Sequence, residues 1–355
     1  MQADLIREAR RQAEICNACR YCEGYCSVFP ALHRERAFSD GDITQLANLC
    51  HNCRGCYYAC QYTAPHEFDL NLPGSLAEVR HDSWEAFAYP QSFARAFQKN
   101  GMMIVIASIL AFVLVFFAAG WLGRSGDGEG FYGVMSHGLM VAIFAPAFLF
   151  PVLSIAISLR RYWRAVDGGK VALGHVVTAF GSALAMRNLS GGHGDGCNFE
   201  DEDRFTHARR IAHHLVFFGF LLCFASTCVG TVMHYAFGLH APYSLWSLPK
   251  LLGLPGGLML TAGAVWMYAL KRRSDPRLGS VSAWGGEVGF IVLLGFVAFS
   301  GLLLYAAGAT VLMPVLLILH LAAVLCLFLL TPYTKMAHGF YRLAALLRDA
   351  QRPGA

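Results

Sequence analysis

Residues 102–122 read MMIVIASILAFVLVFFAAGWL, an apolar stretch without a single charged side chain. An α-helix needs about 20 such residues to cross a hydrocarbon core about 30 Å thick. Later stretches of similar length are equally free of charge, and they occupy residues 135–159, 211–235, 251–270, 288–308 and 312–332. The sequence therefore predicts a membrane domain of six helices, which spans residues 101–340.

The composition agrees with this interpretation. Hydrophobic residues make up 56% of the 355-residue chain and charged residues only 14%, whereas soluble domains carry about 25% charged residues. The net charge of +5 is small and gives no indication of nucleic-acid binding. We therefore expect membrane lipid, and no nucleic acid, among the partners of the chain.

Basic residues are concentrated on one side of the predicted membrane. Arginine and lysine cluster between spans 2 and 3, between spans 4 and 5 and in the C-terminal tail, while the opposite loops carry only Arg124 and Lys250. The positive-inside rule then places both termini in the cytoplasm, and we expect a multi-pass protein of a bacterial inner membrane. Residues 171–189 are apolar but interrupted, which favours a helix at the inner membrane surface. The acidic run 200–203 is interpreted as a solvated loop, with a docking patch as the alternative.

The first 100 residues contain two cysteine runs of one pattern, C-x2-C-x2-C-x3-C. They comprise Cys16, Cys19, Cys22 and Cys26, then Cys50, Cys53, Cys56 and Cys60. This is the spacing of bacterial ferredoxins, in which three thiolates of a run hold one cluster and the fourth reaches the other cluster. We therefore predict two [4Fe–4S] clusters. Cys16, Cys19, Cys22 and Cys60 would bind one, and Cys50, Cys53, Cys56 and Cys26 the other.

Two other interpretations of the cysteines fit less well. Zinc sites pair C-x2-C units at longer separations, and disulfides do not suit a cytoplasmic domain. Unlike the ferredoxin pattern, neither run has a proline directly after its last cysteine. The segment between the runs looks helical, so we expect an all-α fold: a helical, ferredoxin-like domain over residues 1–100, a six-helix cytochrome b-like bundle, and a cytoplasmic tail over residues 341–355. His51, beside Cys50, is expected to hydrogen-bond a cluster sulfur rather than to bind iron.

Histidines lie at both ends of spans 3 and 6, where an ionisable residue is costly and indicates function. His320 and His338 are 18 residues apart, which is five helical turns, so that they share a face about 27 Å apart. His213 aligns with His234 better than His214 does. Since the two spans run in opposite directions, His213 would meet His338, and His234 would meet His320. We predict one or two b-type haems held by these pairs, with His137 as the alternative to His320, or else histidines that only line the interface.

No nucleotide-binding glycine motif follows a predicted strand, and no phosphate-binding loop is found. The chain is therefore expected to have no dehydrogenase site of its own and to receive electrons from another protein.

The stretches CNACRYCEGYCSVFPAL (16–32), LANLCHNCRGCYYACQYTAPHEFDLNLP (46–73) and ARRIAHHLVFFGFLLCFAST (208–227) resemble the tricarballylate/citrate utilization protein B family. The resemblance covers nearly the whole chain. It implies an iron–sulfur and haem-containing membrane partner that reoxidises the flavin of an FAD-dependent tricarballylate dehydrogenase and passes the electrons to the quinone pool. The eight cysteines carry over as cluster ligands. Spans 2 to 6 also resemble the cytochrome b subunit of respiratory nitrate reductase, whose haem ligands lie on the helices that correspond to spans 3 and 6.

Two alternative functions stay open at this point. A quinol-oxidising subunit would send electrons the other way, into a cytoplasmic reductase. A membrane redox sensor would use its clusters to signal, but it has no need of histidines within the membrane.

Overall fold

A computed structural model describes residues 2–26, 28–123, 131–191, 194–197 and 204–352. The acidic run 200–203 and Arg124 lie outside these residues. The described part is all-α, and its only β-type pairing joins Cys197 to Thr206. Its helices are α1 (Gln2–Cys19), α2 (Val28–His33), α3 (Asp40–Leu49), α4 (Gly55–Tyr58), α5 (Leu72–Phe87), α6 (Gln91–Gly123), α7 (Phe131–Val134), α8 (His137–Ala165), α9 (Leu173–Leu184), α10 (Ala208–Phe237), α11 (Leu248–Arg273), α12 (Trp284–Ala306), α13 (Met313–Leu330) and α14 (Ala337–Ala350).

Six of these helices are long and apolar enough to cross a membrane: α6, α8, α10, α11, α12 and α13. They coincide with the six predicted spans, so the predicted fold class is confirmed. Pro255 lies inside α11 without ending it. In α6 the backbone leaves helical geometry at Asn100, which is where the polar, cysteine-rich part of the sequence ends.

Helix packing places α10 chiefly against α11 rather than against α13. A side chain at Gly219 would lie 2.6 Å from the backbone nitrogen of Leu260, and one at Gly263 would lie 2.8 Å from that of Val216. Such small residues let two membrane helices approach closely. From α11 the packing continues to α12, then to α13 and α6, and α8 lies on α13. Only 6% of the most apolar part of α10 is buried, against 39% for α13. A large apolar face of α10 therefore stays open to a cofactor or to lipid.

The cysteine-rich helices and the C-terminal helix form one packed unit. Ala344, Ala345 and Leu346 of α14 join the same buried core as residues of α1, α3 and α5. Gln45 donates to the carbonyl of Ala345 at 2.8 Å and accepts from the hydroxyl of Tyr162 on α8 at 2.6 Å. Both ends of the described chain therefore lie on the same side of the membrane helices, as an even number of spans requires.

A helix is present within residues 171–189, as predicted. It is α9, which has 12 residues and is too short to span a bilayer. The exposed side chains of Leu173, Val177, Phe180 and Leu184 form one stripe along it, while its other face packs on α14. This amphipathic arrangement suits a helix that lies on a membrane surface.

Candidate metal centres

The first cysteine run lies at the C-terminal end of α1. The helix ends at Cys19, and Arg20 turns the chain by adopting a left-handed conformation with a φ of 56°. Cys16 is half-buried beside Cys60, Cys22 and Cys19. Burial of its thiol, and then repulsion from these three thiols, raises its pKa to about 12. Burial raises the pKa of Cys22 to about 11, with Cys60 and Cys19 as the neighbouring charges. Cys60, from the second run, is therefore grouped with the first.

The second run forms a tight loop between α3 and α4, with Asn52 and Arg54 in left-handed conformations. Burial raises the pKa of Cys26 well above its ordinary value, and its neighbouring thiols are Cys53 and Cys50. The thiol of Cys56 is equally buried, beside Cys53, Cys26 and Cys50. Cys26, from the first run, is therefore grouped with the second, and the exchange matches the pattern that the spacing predicts.

Both groups have the chemistry that a cubane cluster needs. Among the described residues no three histidine, cysteine or acidic side chains converge on one metal ion, as the tight tetrahedron of a zinc site requires. In a [4Fe–4S] cluster each thiolate binds a different iron, so its four ligands surround the cluster without meeting at a point. Backbone amides already point at the sulfurs, since the N–H groups of Asn52 and Tyr62 lie 3.4 Å from the Sγ atoms of Cys50 and Cys60. The ligand roles of the eight cysteines stay a prediction that these surroundings fit.

The two groups differ in depth. Cys19 of the first group is exposed, and the neighbouring Tyr21 side chain is 70% exposed. In the second group, Cys26, Cys53 and Cys56 have their thiols enclosed by protein. Cys56 also faces Cys22, so the groups are adjacent. The first group thus reaches the surface and the second lies behind it.

His213 and His338 come together beside the second group. Their ring centroids are 5.8 Å apart and their planes meet at 81°. Imidazole nitrogens bind metal ions at about 2 Å, so two imidazoles on opposite sides of one iron have ring centres about 6 Å apart. The observed separation of the ring centroids is close to this value. Nδ1 of His213 is buried without a hydrogen-bond partner among the described residues.

The hydrogen bonding of His338 leaves one of its ring nitrogens without a partner among the described residues. Its Nδ1 donates to the carbonyl of Lys335, which leaves Nε2 with the lone pair that a metal needs. Burial, followed by His213 and Lys335, lowers the pKa of His338 to about 3, so the ring is neutral. His214 instead stacks on Phe218, 5.6 Å away.

The outer histidine His234 contacts His137, the predicted alternative partner, rather than His320. The ring of His234 stacks on that of His137 at 4.1 Å and 22°, and its Nδ1 lies 2.9 Å from that of His240. His320 instead packs against α12, where its Nδ1 lies 3.1 Å from Ser300 Oγ. In the described structure His234 therefore contacts His137 and His240, and the predicted contact with His320 is not formed, because the outer half of α13 faces α12 rather than α10.

Within the described structure, His51 forms no hydrogen bond to a cysteine sulfur. Its two ring nitrogens are buried without a hydrogen-bond partner among the described residues, and the expected hydrogen bond to a cluster sulfur stays a prediction. Burial lowers the pKa of His51 well below its ordinary value, and the charges of Arg342, Arg209 and Arg80 lower it further. These three arginines, which surround the second cysteine loop, are functional candidates that the sequence motifs did not reveal.

The described features define a multi-span membrane protein that carries an iron–sulfur domain of the ferredoxin type. Family models agree: that of the citrate utilization protein B Fer4-like domain matches residues 9–86, and that of citrate utilization protein B matches residues 95–354. The chain belongs to the citrate utilization protein B family. It is 40% identical to the citrate utilization protein B of Escherichia coli over 350 residues, which cover 97% of this chain and 91% of that relative. No solved structure matches the chain. The Fer4-like match indicates an iron–sulfur protein with an electron-transfer role.

Proposed function

We propose that this chain is a membrane electron-transfer subunit that reoxidises the reduced flavin of a soluble FAD-dependent dehydrogenase, of the tricarballylate dehydrogenase type, and delivers the electrons to the quinone pool. Two [4Fe–4S] clusters and one or two b-type haems, when bound, carry the electrons one at a time. The protein supplies the ligands, the distances and the electrostatic surroundings of these carriers.

The order of the sites supports this proposal. The exposed group around Cys19 lies where a soluble partner can approach it, and the enclosed group around Cys53 lies behind it. Arg342 then links the second group to the histidine pair, because its charge faces Cys50 and Cys26 and also acts on His338. The arrangement is a line of one-electron sites that leads from the protein surface to the end of a membrane helix.

The placement in the membrane belongs to the same proposal. The packed unit of α1–α5 and α14 is on the side that carries the basic loops, so that it faces the cytoplasm of a bacterial inner membrane. The apolar stripe of α9 would lie against lipid at that surface. A sensor function is less well supported, since a signalling cluster has no use for the buried pair His213 and His338.

The first test is chemical analysis of the anaerobically purified, detergent-solubilised full chain. We expect about eight non-haem irons per chain and a b-type band in the reduced-minus-oxidised spectrum, with the pyridine haemochrome giving the haem-to-protein ratio. Eight irons without haem would remove the proposed role of the histidine pairs. The second test is quinone reduction in proteoliposomes by the partner flavoprotein and its substrate. Reduction of the flavoprotein by quinol, with no forward reaction, would instead support a quinol-oxidising subunit.

A further inference from the structure

Three arginines hold the second cysteine loop by its backbone. Four consecutive carbonyls, those of residues 49–52, each accept a hydrogen bond from a guanidinium group. Arg80 on α5 donates to Cys50 at 2.6 Å. Arg209 on α10 donates to His51 at 3.2 Å and to Asn52 at 2.7 Å, and Arg342 on α14 donates to Leu49. A loop so short is therefore fixed from three directions by three separate helices.

Two of these arginines share helices with the inner histidine pair. Arg209 precedes His213 by four residues on α10, and Arg342 follows His338 by four residues on α14. Residues four apart lie one turn apart on the same face of a helix, about 6 Å along its axis. The helices that present the two histidines thus also hold the loop of Cys50 and Cys53, which fixes the separation between the two sites.

The charge of Arg342 faces cysteines rather than a carboxylate among the described residues. Among the described residues neither Arg80 nor Arg342 forms an ion pair with a carboxylate, and the sulfur groups that face Arg342 are Cys50 and Cys26. The guanidinium group of Arg342 stays charged, because arginine side chains are not deprotonated in proteins. A buried cation without a counter-charge is costly, and four thiolates on a cluster supply that negative charge.

The arginine beside the first cysteine group differs in its surroundings. Arg20, which follows Cys19 in the chain, is exposed and donates to the carbonyl of Asn17 at 3.2 Å, where water screens its charge. Cluster potentials depend on net charge, hydrogen bonding and solvent exposure, and buried positive charge stabilises the more negative, reduced state. The buried positive charge beside the second group therefore favours an electron on the second cluster rather than on the first.

We propose that Arg342, with Arg80 and Arg209, sets the potential of the cluster bound by Cys26, Cys50, Cys53 and Cys56 above that of its neighbour and so directs electrons from the protein surface toward His213 and His338. In this step one electron leaves the first cluster and reduces the second, and no bond is formed or broken. The inference rests on the proposed function, because it assigns a direction to that electron path.

The test is a redox titration of both clusters by electron paramagnetic resonance in the anaerobically purified full chain. Arg342→Gln is expected to lower the higher of the two potentials by at least 59 mV, which is a tenfold change for a one-electron couple, and to leave the lower one in place. Arg348→Gln is the matched control. It removes the same charge from α14, and its guanidinium also donates to a carbonyl, that of Val166 at 2.9 Å, but it does not contact the cysteine loop.

Unchanged potentials in Arg342→Gln, or an equal shift in Arg348→Gln, would overturn the inference. If Arg342→Gln loses iron, Arg342→Lys decides. Wild-type iron content and potential in the lysine variant support a role for the charge, whereas loss of iron or a tenfold shift there shows a purely structural role and overturns it. A wild-type chain without iron would overturn the proposed function too, while eight irons with unmoved potentials would overturn only this inference.

Discussion

The rings of His213 and His338 lie 5.8 Å apart at an angle of 81°, although His338 comes after the last membrane span. The last span, α13, ends at Leu330, and a tight turn over residues 331–336 leads into α14. His338 lies in the first turn of α14, which points its ring back toward the start of α10. If α13 continued without a turn, His338 would lie beyond the end of the membrane helices. The turn instead brings it into the protein, where it faces His213.

Replacing either member of this inner pair is expected to remove one haem. His213→Ala and His338→Ala should each lower the haem-to-protein ratio by one, because an iron between two imidazoles loses one of its two axial ligands. The ratio is measured by pyridine haemochrome on the purified protein. His214→Ala is the matched control, since this neighbour of His213 stacks on Phe218. Full haem content in both ligand variants, or an equal loss in the control, would contradict the assignment.

A second haem, where present, is expected to depend on His234 and His320. Nδ1 of His320 lies 3.1 Å from Ser300 Oγ, so this contact occupies one ring nitrogen and Nε2 is the one left for a metal. His234→Ala and His320→Ala should each lower a ratio of two haems to one, while His137→Ala leaves it at two.

The opposite result for the outer site would reassign it. Loss of one haem in His137→Ala, with full content in His320→Ala, would make His137 the partner of His234, as their stacked rings would then suggest. Unchanged content in all three variants would show that none of these outer histidines holds a haem.

The sequence predicted what periodicity and spacing encode. Six apolar runs specify six spans. Spacing alone also grouped Cys60 with the first run and Cys26 with the second. These features depend on the geometry within one helix or one loop, and the local sequence determines that geometry. The expected helix face shared by His320 and His338 is not formed, because α13 ends at Leu330 and His338 lies on α14 after a turn.

Sequence reasoning carries less information where the neighbour of a helix face matters. The contact between His234 and His320 requires α13 to face α10, but Gly219 and Gly263 bring α11 onto α10 instead. Arg209 and Arg342 looked like ordinary basic residues of a cytoplasmic border, because nothing in the sequence shows that both reach one cysteine loop. The C-terminal tail packs as α14 for the same reason, since its apolar face is recognised only once α3 and α9 are placed beside it.

Glu287 is expected to be important for stability. It lies between two lysines, 2.5 Å from Nζ of Lys271 and in contact with that of Lys335, and its side chain is only 16% exposed. Removing one partner of a buried ion pair costs about 3 kcal/mol or more, because the remaining charges stay buried without compensation. Glu287→Gln should therefore lower the apparent Tm of the detergent-solubilised protein clearly. Glu85→Gln, which breaks a pair with the 57% exposed Arg95, should cost less than about 1 kcal/mol.

Equal changes in Tm for these two variants would show that the contacts of Glu287 contribute no more than a surface pair. The Tm is measured by thermal unfolding with intrinsic fluorescence. All variants are measured in the same detergent, because the two lysines lie close to the membrane helices that the detergent covers.

Each predicted cluster takes three cysteines from one run and the fourth from the other run. Single substitutions distinguish this arrangement from one in which each run binds its own cluster. Cys60→Ser should disturb the same cluster signal as Cys16→Ser, because the thiols of Cys60 and Cys16 are neighbours. Cys26→Ser should disturb the other signal, since Cys26 lies beside Cys53 and Cys50. Electron paramagnetic resonance of the dithionite-reduced protein, with iron analysis, separates the two cases.

Cys197→Ser is the control: this buried residue packs in the same apolar cluster as Cys53 but belongs to neither run, so about eight irons should remain. If Cys60→Ser and Cys53→Ser instead affect one signal together, each run binds its own cluster, and the line of sites from the surface inward would have to be redrawn.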